Sequence, residues 1–497
     1  MSINPLQKIV ILGGGSAGWI AAAMLAHQLR RDLYQIELVE SADISTIGVG
    51  ESTLPPFVQL LQRLGIDQQD FIQATQACFK LGIKFVDWRQ RQHSFFHPFG
   101  AIGAPIANQD FFQCWLKAKQ YGDESELQDF SPAAVMAGQQ RFFPPAQLRQ
   151  SPIGSANFAI HLDAKKVANY LRDYSVARGV IHTQGTVAQV RKNAERIESL
   201  GLSDGRDIGG DFFIDCSGFS AKLIEQALQA GFDDWSDLLP CDRALVVRTE
   251  AQPETLAFTT ATAHKFGWSW RIPLRKSLGH GYVYASRYCS DAEAKTALMR
   301  QLDCPRISDP QLIPFSCGKR RAIWKSNCVA LGLAAGFIEP LESTSLHLIV
   351  RGMEYLLRYF PDRDCDPSLQ REYNRRMAAD FTEVRDFILL HYWSSQRDDS
   401  PFWRSFKTRP LPESLQERIE LFRAHGILRD GPDELFRSTS WQSVFEGMGI
   451  RPAKYCPRVD NLELDTIVQQ LQVSKRALME MIQALPSHDA YLQKNYR

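Results

Sequence analysis

Residues 9–30, IVILGGGSAGWIAAAMLAHQLR, decide the fold of this chain. A short apolar strand runs into three consecutive glycines and then into an alanine-rich helix, with glycines spaced as GxGxxG. Glycines at this spacing allow a tight turn and let the backbone approach a pyrophosphate, which the N-terminus of the next helix attracts. The stretch therefore predicts a Rossmann-like dinucleotide site. The predicted phosphate-binding residues are Gly13, Gly15, Ser16, Ala17 and Gly18.

Three further segments indicate which dinucleotide binds. Glu40 ends the second strand, YQIELVES, about 20 residues after the last glycine, where an acid takes the ribose hydroxyls. DFFIDCSGF, residues 211–219, is a strand ending in an acid, a second dinucleotide contact in flavoproteins of the hydroxylase type. LGLAAGFIEP, residues 331–340, would bring a backbone edge under a flavin ring. These features favour FAD over NAD, and a single GxGxxG gives no sign of a separate NAD(P)H domain.

Composition excludes several classes of protein. The 497 residues carry 57 Lys and Arg against 56 Asp and Glu, so charge gives no reason to expect nucleic acid or an anionic membrane. No apolar run approaches the roughly 20 residues of a membrane span. The N-terminus enters a strand without a signal-peptide layout. The ten cysteines are scattered without a CxxC pair, which predicts no metal site and a reduced, cytoplasmic protein.

The length predicts two or three lobes. We expect an α/β protein with a Rossmann-like FAD-binding fold of the flavin hydroxylase type. Segments such as ALVVRTEA, GWSWRIPL and GYVYAS alternate as an inserted antiparallel sheet would, and QDFIQATQACFKLG, residues 69–82, reads as a helix. The C-terminal region is mainly helical. The expected parts are an FAD-binding module over 1–350, with core segments 6–90, 160–220 and 320–350 and substrate-side insertions 91–159 and 221–319, and a helical region over 351–497.

The stretch FIEPLESTS, residues 337–345, places a carboxylate in an unusual position. An apolar, glycine-rich run, VALGLAAG, precedes it, and a helical pattern with one broad apolar face follows it. Glu342 is therefore predicted at a strand-to-helix junction near the interior. Such an acid either takes part in chemistry or is only a helix-start carboxylate that stabilises the helix dipole.

Several motifs occur together and in order. They are GGGSAGW, GVGESTLPP, FKLGIKFVDW, HPFG, IHLDA, WxWxIP as Trp268, Trp270, Ile272 and Pro273, EPLESTS, and RDFILLHYWSSQRDDSPFW. Over nearly its whole length the chain resembles the flavin-dependent halogenases of the tryptophan halogenase type. WxWxIP separates these enzymes from the hydroxylases.

The resemblance implies a reaction. In that family FADH2, O2 and a halide ion give hypohalous acid, which travels to a separate aromatic pocket. A lysine there aims the halogen, and a glutamate assists its transfer and the loss of the ring proton. By position these residues are Lys80 and Glu342. A separate flavin reductase and a small aromatic substrate are the implied partners, and a homodimer is one option for the assembly.

Elementary chemistry agrees with these two roles. A carboxylate stabilises the cationic ring of electrophilic substitution and can take its proton. A desolvated lysine loses charge readily and acts as a donor or nucleophile. Lys80 follows the apolar stretch FIQATQACF, so burial is plausible, and the alternative is a surface lysine at a helix C-terminus.

The resemblance also assigns cofactor and halide residues. The additional cofactor residues are Val49, Glu51, Val187, Leu333 and Leu346. Thr344 and Ser345 begin a helix whose unpaired N–H groups make an anion site for halide. The family has glycine where Ser345 stands, and a Cβ restricts positive φ. We therefore expect looser halide binding and better bromination than chlorination.

Substrate residues are expected among aromatic motifs. Trp268 and Trp270 face one side of a strand, either as core residues or as a barrier between flavin and substrate. Free tryptophan, indole, a substituted indole and another electron-rich aromatic all stay open as substrates. A single-component NAD(P)H-dependent hydroxylase and a non-catalytic flavin-binding protein are the rival functions. The expected substrate-side residues are His97, Pro98, Phe99 and Trp441.

Overall fold

The computed structural model describes residues 4–42, 50–431 and 433–496. The chain forms a mixed α/β fold that divides into two compact units. The first unit comprises Met1–Ala77, Leu162–Ala244 and Leu312–Val384. The second comprises Cys78–His161, Leu245–Gln311 and Arg385–Arg497.

The strands of the described residues are numbered in chain order. They are β1 (Lys8–Leu12), β2 (Gln35–Glu40), β3 (Gly50–Ser52), β4 (Cys78–Lys80), β5 (Gly82–Val86), β6 (Ser94–Pro98), β7 (Ala159–Asp163), β8 (Ile181–Gln184), β9 (Val187–Asn193), β10 (Arg196–Leu202), β11 (Asp207–Gly209), β12 (Phe212–Asp215), β13 (Phe232–Asp234), β14 (Arg243–Glu250), β15 (Thr259–His264), β16 (Gly267–Pro273), β17 (Ser277–Tyr284), β18 (Gln311–Pro314), β19 (Gly318–Arg320), β20 (Trp324–Lys325), β21 (Cys328–Ala330) and β22 (Gly336–Phe337).

The α-helices of the described residues are numbered in the same way. They are α1 (Ser16–Gln28), α2 (Pro55–Arg63), α3 (Gln68–Thr75), α4 (Phe111–Gln120), α5 (Pro132–Gly138), α6 (Ala164–Val176), α7 (Asp291–Met299), α8 (Ser345–Arg358), α9 (Pro367–Trp393), α10 (Pro401–Lys407), α11 (Glu413–His425), α12 (Ser438–Gly447), α13 (Leu464–Gln483) and α14 (His488–Asn495).

The first unit is built on a six-stranded sheet in the order β20-β21-β12-β1-β2-β8. Its strands are parallel except for the antiparallel edge pair β20–β21. Val10 and Ile11 of β1 have no solvent exposure, as expected for a central parallel strand covered on both faces. Helix α1 lies against α6 and α8. The predicted βαβ unit at the N-terminus is confirmed.

The second unit contains the inserted sheet, with neighbouring strands β14-β17-β16-β15-β5-β6. The pairs β16–β17 and β15–β16 are antiparallel, as predicted for the inserted sheet. The pair β5–β6 is also antiparallel, and β15–β5 is parallel. Every residue of β17 is buried, so this strand is also covered on both faces. WxWxIP lies on β16, at the centre of this sheet.

The predicted helix over 69–82 is wrong in its second half. Helix α3 ends at Thr75, because Gln76 takes a left-handed backbone conformation with φ 54° that no α-helix continues through. The chain then forms β4, which pairs antiparallel with β7. Pairing between distant segments here overrides the local helical pattern. Lys80 therefore lies on a strand and not at a helix C-terminus.

The C-terminal region is mainly helical, as predicted. After β22 the described residues contain only helices, turns and loops, from α8 onward. In residues 4–42, 50–431 and 433–496 no helix is both long and apolar enough to span a bilayer.

Candidate active site

The glycine turn between β1 and α1 forms a cradle. Gly13 has φ +114°, and a Cβ there would lie 2.3 Å from the Cys216 carbonyl oxygen. A Cβ on Gly18 would lie 1.9 Å from the Gly13 carbonyl oxygen. A Cβ on Gly15, the N-cap of α1, would meet no atom within 4 Å. Gly13 and Gly18 are thus closely packed against the protein, whereas the side of the turn at Gly15, next to the N-terminus of α1, is open. This arrangement fits the pyrophosphate of FAD.

Glu40 stands beside this cradle at the end of β2. Its Oε1 lies 2.6 Å from Nε2 of His182 on β8, and a quarter of its side chain is exposed. The His182 ring packs edge-on against Trp19, with centroids 5.2 Å apart. One carboxylate oxygen is thereby oriented, which fits a ribose acceptor. His182 was not found from the sequence, because only the pairing of β2 with β8 brings it to Glu40.

The other described cofactor residues also belong to the first unit. Burial, with the nearby Asp163 carboxylate, raises the pKa of Glu51 on β3 to about 7. Val187 begins β9, and its carbonyl accepts a hydrogen bond from the Lys222 ammonium. Leu333 lies in the 3-10 turn after β21, Leu346 lies in the first turn of α8, and Val49 lies outside the described residues.

Asp215 ends β12, as the sequence predicts for this strand, but its carboxylate is fully occupied. Oδ1 accepts hydrogen bonds from the backbone N–H and the hydroxyl of Ser217. Oδ2 accepts from the backbone N–H groups of Leu223 and Ile224, each at 2.8 Å. Asp215 therefore shapes the turn after β12 rather than presenting a free acceptor to the dinucleotide.

Glu342 occupies the predicted strand-to-helix junction. It ends a 3-10 turn, Pro340–Glu342, that follows β22, and it is fully buried. Ser343 then takes the left-handed conformation with φ 60°, and α8 begins at Ser345. A buried carboxylate beside a reacting ring is a strong base and a strong electrostatic partner for a cation.

Thr344 is the N-cap of α8, and its side chain is only 1% exposed. Its hydroxyl has no hydrogen-bond partner within the described residues. Together with the open N–H groups of the helix start, this hydroxyl is a donor set that suits a halide ion. Ser345 has no positive φ, so the conformational cost expected of a serine at this position is absent.

Lys80 ends β4 in the second unit and has no solvent exposure. Its ammonium lies 4.9 Å from the centroid of the Phe99 ring. Ala159 stands opposite Lys80 in the pairing of β4 with β7 and leaves room for the lysine stem. On the other face of β4, Phe79 stacks on Phe142 with centroids 4.0 Å apart. Phe79 also packs against Phe158, His488, Tyr491 and Tyr496.

The predicted substrate-side residues form one aromatic cluster in the second unit. His97 and Phe99 lie 6.3 Å apart on either side of Pro98, and His97 contacts Phe387 at 5.6 Å. Phe387 stacks on Phe436 at 3.8 Å. The sequence analysis assigned no site role to Phe387, although it lies in the motif RDFILLHYWSSQRDDSPFW, or to Phe436, because α9 and the segment before α12 are far apart in the chain.

Trp441 packs into this cluster and is as buried as its neighbours. Its ring packs edge-on against Phe387 at 4.8 Å, and its Nε1 donates to the Phe436 carbonyl oxygen at 3.1 Å. The indole is 1% exposed. Its contacts make it a support for Phe387 and Phe436.

The WxWxIP residues are packed into the sheet. Trp268 and Trp270 lie 5.8 Å apart, and Trp268 also contacts Trp88 at 6.2 Å. A Cβ on Gly281 would lie 2.0 Å from the Trp270 ring, so the neighbouring strand accepts this indole only because it carries glycine there. Ile272 and Pro273 end β16 and are buried.

The tryptophan halogenase family model matches residues 8–463. The chain belongs to the tryptophan halogenase family. The family predicted from the sequence motifs is therefore confirmed, and so is its α/β fold.

Individual relatives agree with this result. The halogenase is 32% identical to tryptophan 7-halogenase RebH of Lentzea aerocolonigenes over 99% of each chain. It is 36% identical to tryptophan 6-halogenase SttH of Streptomyces toxytricini over 84% of each chain. Its structure matches Xcc4156, a flavin-dependent halogenase from Xanthomonas campestris, with a TM-score of 0.95 and 40% identity over 99% of each chain. BrvH, a flavin-dependent halogenase from Brevundimonas sp. BAL3, matches with a TM-score of 0.95 and 37% identity over 99% of each chain.

The halogenase is an FADH2-dependent enzyme that uses O2 and a halide ion. It requires a separate flavin reductase and an aromatic substrate. The hydroxylase and non-catalytic alternatives are not favoured by these relatives. Among the described residues of the halogenase, no group of three or more His, Cys, Asp and Glu side chains is arranged to hold a metal ion.

Proposed function

We propose that this halogenase oxidises bromide or chloride to hypohalous acid and transfers the resulting electrophilic bromine or chlorine to an indole-type or other electron-rich aromatic substrate through Lys80 and Glu342. The main observation that supports this proposal is that the buried Lys80 ammonium lies over the Phe99 ring, next to the aromatic cluster that includes His97 and Phe387. FADH2 together with O2 supplies the oxidising power that converts halide into hypohalous acid.

Lys80 holds the oxidant close to the aromatic cluster. The Lys80 ammonium has no solvent exposure, and hydrogen bonds to a charged group are stronger in such a low-dielectric environment than in water. Its fixed position on β4 directs the halogen toward one region of a bound ring, because strands hold their side chains more rigidly than loops. Tryptophan and indole are both candidate substrates.

Glu342 takes the proton that the ring loses. Electrophilic substitution forms a cationic ring, which a buried carboxylate stabilises more strongly than an exposed one. The same carboxylate then accepts the proton from the substituted carbon.

The wider assignments belong to the same proposal. Thr344 and Ser345 bind the halide. The described residues that bind FAD are Gly13, Gly15, Ser16, Ala17, Gly18, Glu40, Glu51, Val187, Leu333 and Leu346. The ten cysteines are all free thiols, which supports a reducing compartment and hence the cytoplasm. We include a homodimer in the proposal, and light scattering of the purified protein tests it.

Mass spectrometry tests the reaction itself. The natural protein is incubated with FAD, a flavin reductase, NADH, oxygen, bromide, and indole or tryptophan. We expect a brominated product with the two-line isotope pattern of bromine. Hydroxylated product, or rapid substrate-dependent NADH oxidation without the reductase, would instead indicate a single-component hydroxylase.

Lys80→Ala tests the role of the lysine, and Lys84→Ala is its matched control. Lys84 is an exposed lysine on β5, the next strand along the chain, which belongs to a different sheet. We expect Lys80→Ala to abolish product halogenation while flavin binding and reoxidation persist, and Lys84→Ala to behave as the natural protein. Halogenation by the Lys80→Ala variant would remove Lys80 from the mechanism.

A further inference from the structure

One face of β4 carries Lys80 together with two other buried polar side chains. Cys78 pairs with His161 across β4 and β7, and Lys80 pairs with Ala159. Residues two apart on a strand, and residues directly opposite each other, point to the same side of a sheet. Cys78, His161 and Lys80 therefore share one face, and none has any solvent exposure.

Two hydrogen bonds tie this face to the central sheet of the second unit. The Cys78 thiol donates to the Pro273 carbonyl oxygen at 3.1 Å, at the end of the WxWxIP strand. Nε2 of His161 lies 2.9 Å from Oγ1 of Thr259 on β15. Nδ1 of His161 lies 3.7 Å from the Cys78 sulfur. Three separate sequence motifs thus meet at the strand that carries the lysine.

His161 stays neutral in this position. Burial lowers its pKa well below the ordinary value, and the positive charge of Lys80 lowers it further. A neutral imidazole beside Lys80 anchors the strand without adding a second positive charge, which would repel the ammonium. A group that positions a buried cation must itself be free of positive charge, and His161 is.

We propose that His161 is a positioning residue for Lys80, acting through its hydrogen bond to Thr259 and its contact with Cys78. This inference rests on the proposed function of Lys80. The pairing with β7 and the two hydrogen bonds fix β4, so the ammonium stays aimed at the aromatic cluster. Loosening them leaves oxidant formation intact and lets hypohalous acid escape before it is transferred.

Three variants separate these contacts. His161→Leu fills the space without hydrogen bonding. His161→Gln places an amide near the position of Nε2 and keeps the bond to Thr259. Thr259→Val removes the same bond at nearly constant volume, so the test survives if the leucine variant fails to fold.

His280→Leu is the matched control. Nε2 of His280 lies 3.1 Å from Oγ1 of Thr249 on β14, and His280 on β17 is buried, as His161 is. Burial also lowers its pKa, to about 4, but its charged neighbours are Arg271 and Asp303. His280→Leu therefore measures the general effect of losing a buried histidine–threonine hydrogen bond at a site whose charged neighbours do not include Lys80.

The readouts are halogenated product per flavin reoxidised, and bromination of monochlorodimedone, which traps free HOBr in solution. We expect His161→Leu and Thr259→Val to lower the product per flavin by about tenfold or more and to raise trapped HOBr, since small misplacements cost this much. Flavin reoxidation should be unchanged. His161→Gln should restore most of the yield, and His280→Leu should keep it.

Two results would overturn the inference. One is an unchanged product per flavin in His161→Leu or Thr259→Val. The other is a parallel fall of reoxidation, yield and trapped HOBr in these variants and in His280→Leu, which would indicate general destabilisation. Failure of the proposed function would look different, because the natural protein itself would then give no halogenated product.

Discussion

Glu342 and Glu339 are two fully buried carboxylates three residues apart. Glu342 is the one that we propose as the proton acceptor. We expect Glu342→Gln to lower the halogenation rate by about 10²–10⁴-fold, the usual contribution of a general base. The change is isosteric, so packing and flavin reoxidation should persist. Steady-state rates with saturating substrate measure the effect.

Glu339→Gln is the control for burial at this site. It also neutralises a buried carboxylate, so it reproduces any general effect of removing charge from the turn. A smaller loss in Glu339→Gln than in Glu342→Gln supports a chemical role. Equal losses would mean that Glu342 only stabilises the junction before α8.

Glu51 gives the stability a dependence on pH. Its pKa is raised from an ordinary value of 4.5 to about 7, so the folded state holds this proton more tightly than the unfolded chain does. Its contribution is therefore fully present below about pH 4.5 and is lost as the pH rises through about 7. Ionising the group costs the natural protein about 1–3 kcal/mol, and Glu51→Gln avoids that cost.

Thermal unfolding of both apoproteins at pH 5 and pH 8 measures this effect. We expect Glu51→Gln to become more stable relative to the natural protein at pH 8 than at pH 5. Parallel shifts of the two proteins between these pH values would contradict the assignment of the raised pKa to Glu51.

At the scale of elements, the start of α8 shows why a serine at position 345, where the family has glycine, need not disturb the halide site. The left-handed residue of the turn is Ser343, whereas Ser345 adopts the helical backbone that any residue can adopt. The serine therefore gives no structural reason for loose halide binding. The hydroxyl of Thr344, which has no hydrogen-bond partner among the described residues, is a side-chain donor at the helix start.

Thr344→Val tests that donor, with Ser345→Gly as its partner variant. We expect the valine variant to need about 2–10 times more bromide for half-maximal halogenation, which corresponds to one lost hydrogen bond. Ser345→Gly should leave the bromide requirement and the ratio of brominated to chlorinated product nearly unchanged. A large change in the bromide requirement or in the product ratio of Ser345→Gly alone would instead show that residue 345 determines halide preference.

Local patterns predicted the elements whose geometry depends on neighbouring residues. The glycine turn, Glu40 and the junction at Glu342 are of this kind, because spacing along the chain fixes them. β4 was read as helix, since its strand form comes from pairing with β7, about 80 residues later in the chain. His161 lies in the motif IHLDA, but no role was predicted for it or for Phe436, because their contacts join segments that are distant in sequence.

At the scale of the whole molecule, the reactivity of the ten cysteines reports how well the interiors of both units are protected from solvent. Eight are buried, and only Cys304 and Cys456 are partly accessible. Burial raises the pKa of the Cys78 thiol and of several others, which suppresses the reactive thiolate. We expect the folded protein to react rapidly with Ellman's reagent at no more than two thiols, and at ten after unfolding. More than two fast thiols would show that a buried segment opens readily.

The aromatic packing around Phe79 has a consequence for synthesis of the chain. Phe79 rests on His488 and Tyr491 of α14, and 409 residues separate Phe79 from His488. At about 5–20 residues per second, a ribosome needs roughly 20–80 s to make that span. For all of that time the strand that carries Lys80 lacks part of its packing, and the rings of Phe79 and Phe142 have no α14 to cover them. We therefore expect the nascent halogenase to expose an aromatic segment of the kind that chaperones bind, and to complete the packing around β4 only after residues 488–496 have left the ribosome.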